Sequence, residues 1–141
     1  MTVEDVVAEL ETLSVVDQWR ANPTTIFSSI DIEIEDLHFI ARPLVVFADS
    51  PADPMFIEQM DMLLADMDAL RLRDVIVITD TDPSARSLVR QELRPRGFGL
   101  VLIGKDGRVA QRKPSPFSVR ELSRAIDKMP LRQQEIREGS G

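Results

Sequence analysis

Leu44-Val45-Val46-Phe47-Ala48, followed at once by Asp49-Ser50-Pro51-Ala52-Asp53-Pro54, decides how the rest of the chain must be laid out. An apolar run without polar alternation marks a strand covered on both faces rather than one with a wet side. The cluster of Asp, Ser and Pro residues ends it. Phe56, Met60, Leu63, Leu64 and Met67 then recur at helical spacing to about Leu70, and the methionines read as core filler on the buried face of that helix. Asp74-Val75-Ile76-Val77-Ile78-Thr79 is a second buried run. A strand, helix and strand of this length predict parallel pairing through a right-handed crossover.

Toward the C-terminus, Asp82 is placed to cap a helix with Pro83 at its first position, and Ala85, Leu88, Val89 and Leu93 supply its apolar face. Gly97 and Gly99 bracket Phe98 before the strand Leu100-Val101-Leu102-Ile103. Gly104-Lys105-Asp106-Gly107 is a hairpin turn, so Arg108 to Arg112 returns as an antiparallel edge strand. Ser118 can cap a last helix carrying Val119, Leu122, Ile126 and Met129 on one side, and Pro130 should end it.

Toward the N-terminus, Val3, Val6, Val7, Leu10 and Leu13 predict an amphipathic helix over 3–20, with Thr2 and Asp5 as a capping pair. Ile30, Ile32 and Ile34 alternate with Asp31, Glu33 and Glu35, which predicts an edge strand with one wet face. Ile26, Phe27, Leu37, Phe39 and Ile40 are the expected anchors of this arm on the core. The only histidine, His38, reads as a packed or surface residue rather than a ligand. The expected organisation is an acidic arm over 1–41, an α/β domain over 42–137 and a tail or expression remnant over 138–141.

With 141 residues, 43% of them apolar, the chain can bury a core without disulfides, and it contains no cysteine. Thiol and disulfide chemistry is therefore excluded. The net charge of −7 argues against nonspecific nucleic-acid binding. Charge is uneven: nine acids face one base, Arg20, in residues 1–41, whereas ten bases face five acids from Pro95 onward. Arg120, Arg124 and Lys128 recur every four residues away from the apolar stripe of the last helix, and Arg132 extends the line. This is the candidate interaction face, and Asp31, Glu33, Glu35 and Asp36 of the arm are its expected intramolecular partner. No stretch approaches the ~20 apolar residues of a membrane span, so membrane insertion is not expected. Met1-Thr2-Val3-Glu4-Asp5 lacks the start of a secretory leader, so the chain as written reads as cytoplasmic, or as exported if a leader was removed.

Strand, helix, strand, helix, hairpin and helix, in that order, read as a thioredoxin-like fold with a four-stranded mixed sheet. Its redox Cys-x-x-Cys would sit where Pro51-Ala52-Asp53-Pro54 stands. The segments Arg42 to Ala48, Asp74 to Pro83, Leu93 to Phe98, Leu102 to Gly107 and Ile126 to Ile136 together resemble a family of uncharacterised bacterial proteins. That family has a cysteine-free, peroxiredoxin-like domain, also found in extracellular matrix and sushi-repeat proteins of animals. The resemblance covers Arg42 to Arg137 and implies the sheet order 2-1-3-4, counting strands from Pro43. It implies no agreed activity, and the leader that many bacterial members carry is not seen here.

Asp49 and Asp80 each follow a parallel strand, where open α/β sheets bind ligands, and with Asp82 they form a candidate ligand-binding set. Val75 to Ser84 also resembles the Asp-x-Asp loop of haloacid dehalogenase phosphatases, but no further acidic pair follows Pro95. Lys113-Pro114 resembles the last loop of receiver domains, and too few strand–helix units precede it to complete that fold. The alternative for the same acids is structural: Asp53 and Asp82 cap helices and Asp80 holds a turn. The expected function is a noncatalytic thioredoxin-like binding module without cofactor or metal, acting on an unidentified protein or small molecule. The competing expectation is a Mg²⁺-dependent phosphate-binding protein or phosphohydrolase using Asp49, Asp80 and Asp82.

Overall fold

A computed structural model of the chain describes residues 2–5 and 13–139. Its centre is a mixed sheet of five strands in the order β1-β3-β2-β4-β5. The strands are β1 (Ile26–Ser28), β2 (Arg42–Phe47), β3 (Val75–Asp80), β4 (Gly99–Ile103) and β5 (Val109–Lys113). Helices α1 (Val15–Ala21), α2 (Pro54–Leu64), α3 (Met67–Leu72), α4 (Leu88–Leu93), α5 (Val119–Asp127) and α6 (Pro130–Arg137) flank it. β2 runs parallel to β3, with Leu44 opposite Val77, and antiparallel to β4, with Leu44 opposite Leu102.

The continuous apolar runs are buried on both faces because the sheet has a layer on each side. Side chains alternate between the faces at period two. Val45, Phe47, Ile76, Ile78, Val101 and Ile103 pack with Trp19, Phe27, Ile32, Ile34 and Leu37 of the arm and with Val89 and Leu93 of α4. Leu44, Val46, Val75, Val77, Leu100 and Leu102 pack on the other side with Leu63, Leu70, Val119, Leu122 and Ile126.

Four expectations are corrected. The sheet has five strands rather than four, because Ile26–Ser28 pairs parallel with Val77–Thr79 on the outer edge of β3. The isoleucine alternation is not a strand: Ser29–Asp31 and Ile34–Leu37 are 3-10 turns. Ser28 Oγ accepts the Ile30 amide, and Ser29 O accepts the Ile32 amide, so local bonds replace ladder bonds there. Ile32 and Ile34 still point inward while Ile30 is exposed. The helix expected from Pro83 is divided: Pro83–Ala85 is a 3-10 turn, Arg86 is left-handed (φ 49°), and Ser87 caps α4. Pro130 does end one helix, but it also opens another, α6, a position where its missing amide costs nothing. The capping pair of Thr2 and Asp5 forms reciprocally at 3.1 and 3.2 Å, whereas Val6, Val7 and Leu10 of the stripe lie outside the described residues.

The hairpin turn is held by Gly107, whose φ is +83° and whose missing Cβ leaves room for the ring of His38. An alanine there would take a strained conformation and run into that ring. Gly107→Ala is expected to cost about 1–3 kcal/mol in urea unfolding. The loss should shrink in a His38→Ala background, where only the backbone strain remains; equal losses in both backgrounds would remove the steric part of the explanation.

Candidate functional site

At the carboxyl ends of β2 and β3, Asp80 is buried and surrounded by donors. Ser29 Oγ and Ser87 Oγ donate to its Oδ2 at 2.7 and 2.6 Å, and Arg90 donates to its Oδ1 from Nε at 2.9 Å and from a terminal nitrogen at 2.7 Å. Arg90 also reaches the carbonyl of Ala48 at 3.0 Å and lies 5.4 Å from the centre of the Phe47 ring. Four separate segments, carrying Ser29, Ala48, Asp80 and the pair Ser87 and Arg90, are thus stitched across the end of the sheet. Burial alone would raise the Asp80 carboxyl, but the hydrogen bonds from Ser87, Arg90 and Ser29 outweigh it and hold the group below its ordinary value.

The other two members of the candidate set stand apart in role. Asp49 is exposed. Asp82 is exposed and caps the turn at Pro83, its Oδ1 accepting the Ser84 amide at 3.1 Å and the Ser84 hydroxyl at 2.5 Å. Asp53 caps α2 by accepting the Met55 amide at 2.9 Å, and Pro51 and Pro54 flank it. Among the described residues, no three His, Cys, Asp or Glu side chains come together in a way that could hold a metal ion.

On α5, Arg120, Arg124 and Lys128 are exposed, and none makes an ion pair among the described residues. Arg132 does not belong with them. The turn at Pro130 carries it inward, where it is buried and bonded to Asp127 at 3.2 Å and close to Glu135 at 3.5 Å. The described residues of the acidic arm do not cover the basic face either, because their buried side chains pack on the side of the sheet opposite α5. The physical reason is that Trp19, Phe27, Ile32 and Leu37 have apolar area to bury, whereas exposed charge pairs contribute little.

A second buried network lies at the opposite end of β2 and was not foreseen. Arg42, fully buried, donates to Glu135 at 3.2 and 3.0 Å and to the carbonyl of Arg73 at 2.8 Å. Lys105 Nζ bridges Glu135 and Asp74, each at 2.8 Å, and Arg73 bonds Asp127 through two nitrogens at 3.0 Å. Glu135 would be raised by burial, but Arg42 and Lys105 hold it below its ordinary value, and Arg73 first and Arg132 second do the same for Asp127. The only sequence cue was the density of charge between Asp127 and Glu135. It could not say which charges turn inward.

With this geometry in place, comparison with known proteins is informative on two points. A family model described as a domain of unknown function (DUF4174) matches residues 33–135. A Plasmodium yoelii thioredoxin peroxidase I is similar in structure, with a TM-score of 0.54 and 17% identity over 77% of this chain and 82% of that one. Such a likeness carries the fold alone, and it makes this mixed sheet with flanking helices thioredoxin-like. No curated protein matches the chain. No helix among the described residues is long and apolar enough to cross a membrane.

Proposed function

This chain belongs to the DUF4174 family, a domain of unknown function, and from that premise we propose that it is a noncatalytic thioredoxin-like binding module whose partner is an acidic protein surface. The observation that supports this reading is the exposed row of Arg120, Arg124 and Lys128, without an ion pair among the described residues, on a chain of net charge −7. A cationic stripe that the described residues of the acidic arm leave uncovered keeps its field for an external anion within a Debye length of about 8–10 Å. Beside the largely exposed loop where a thiol would act, Ser29, Ser87 and Arg90 hold the Asp80 carboxylate in place. That arrangement favours a static scaffold over turnover.

The full chain should be retained on immobilised poly-glutamate at low ionic strength and released as salt rises. The triple variant Arg120→Glu, Arg124→Glu, Lys128→Glu should lose at least about tenfold in affinity while keeping its melting temperature, because each charge is exposed. Equal retention of both proteins would sink the basic face as the binding surface. Insulin reduction and peroxide consumption should stay at buffer rates, since no thiolate exists to attack either substrate. Saturable Mg²⁺ binding by calorimetry, weakened by Asp49→Asn and Asp82→Asn, would turn the reading toward the phosphate-binding alternative.

A further inference from the structure

A cavity of about 340 Å³ opens between the β4–β5 hairpin, the segment before β2 and the junction of α5 and α6. It lies at the amino end of β2, away from Asp80. Phe39, Met129 and Leu131 form apolar wall, and Arg42, Lys105 and Arg108 are its cations. Its one carboxylate, Asp106, is engaged by the Arg108 amide at 3.0 Å in the hairpin turn.

Three observations give this cavity a polarity. Arg42 is fully buried, and although its terminal nitrogens are bonded, its Nε has no acceptor among the described residues. That nitrogen has no accessible surface, so it donates to no ligand directly, and Arg42 adds only its charge to the cavity wall. Arg108 is exposed on the rim and makes no ion pair among the described residues. Phe39, expected as a core anchor, is instead 70% exposed on a left-handed backbone with φ 61°, fixed by a 2.7 Å bond from its amide to the carbonyl of Lys105. Bulky residues rarely occupy that conformation, and held strain of this kind clusters at ligand sites.

We propose that this cavity binds a short amphipathic carboxylate, its oxygens on Arg108 at the rim and its apolar body against Phe39, Met129 and Leu131. Lys105 is already committed to Asp74 and Glu135 and Arg42 to Glu135, which leaves the rim guanidinium of Arg108, a better match for one carboxylate than for a phosphate dianion. The volume sits at the low end of the roughly 300–1,000 Å³ of small-molecule sites, which suits a short acid rather than a full lipid. This site is independent of the basic face on α5, and either can fail without the other.

The test is an amide-resolved NMR titration of the full chain with octanoate and, in parallel, neutral octanamide. Octanoate should shift the amides of Phe39, Lys105, Arg108 and Leu131 in a saturable way and bind at least about tenfold more tightly than octanamide. Arg108→Gln should weaken octanoate about fivefold with an unchanged melting temperature. Ala110→Trp, which narrows the mouth from the exposed edge strand, should abolish binding in a folded protein. Equal affinity for acid and amide, shifts confined to other surfaces, or no saturable shift up to about 10 mM acid would each overturn the proposal.

Discussion

Asp80→Ala should cost roughly 3–5 kcal/mol of unfolding free energy, measured by urea denaturation at neutral pH. The carboxylate is the common acceptor for Ser29, Ser87 and Arg90, so its removal leaves two hydroxyls and a guanidinium without their partner in a site from which water is largely excluded. Breaking a buried pair from one side is costly because the remaining charge keeps its desolvation penalty. A loss below about 1 kcal/mol would mean that Arg90 relaxes to solvent and that the shell is not an anchor. The same shell sets a pH dependence. In the folded chain the Asp80 carboxyl lies below its ordinary 3.8, as does that of Asp127, and Glu135 lies below its ordinary 4.5. The unfolded chain therefore takes up these protons first. Their stabilisation is complete above about 4.5 and is lost as pH falls through 3.8 toward the lower folded values. Asp80→Asn should flatten the acid side of the stability profile, and an unchanged slope would assign the acid sensitivity to the network around Glu135.

Phe27→Ala should cost about 3–5 kcal/mol, as expected for a large aromatic removed from a packed core. Phe27 lies at the centre of β1, opposite Ile78, and packs with Trp19 against β2 and β3. Because Trp19 is the only tryptophan and is buried, its fluorescence reports the arm, while far-UV circular dichroism reports the sheet and helices. Both signals should move to lower denaturant together, as one cooperative transition. A fluorescence transition that moves alone, with the dichroism transition unchanged, would show the arm to be an accessory that melts by itself.

The two predictions bear on different degrees of legibility. The runs Leu44 to Ala48 and Asp74 to Thr79 were readable because burial on both faces removes polar alternation, and the hairpin was readable because Gly104 to Gly107 permits only antiparallel neighbours. β1 was not readable. Three residues carry no period, and Ile26–Ser28 is a strand only because the edge of β3 offers it a ladder. The isoleucine pattern that follows gave two of its three inward residues, Ile32 and Ile34 but not Ile30, and the wrong backbone, since Ser28 and Ser29 supply local bonds that hydropathy does not register.

The candidate sites divide in the same way. Lack of cysteine, absence of a thiol nucleophile and the spacing of Arg120, Arg124 and Lys128 are properties of composition and helical period, and the chain order alone determined them. Which face the arm covers, the burial of Arg132 and the occupation of Asp80 were decided only by tertiary structure. Ser29 meets Asp80 across 51 residues and Arg42 meets Glu135 across 93, and no local propensity reaches that far. Apolar area drew the arm to the sheet face opposite α5, and the placement of Ser29 beside Asp80 followed from that packing rather than from any attraction legible between their segments.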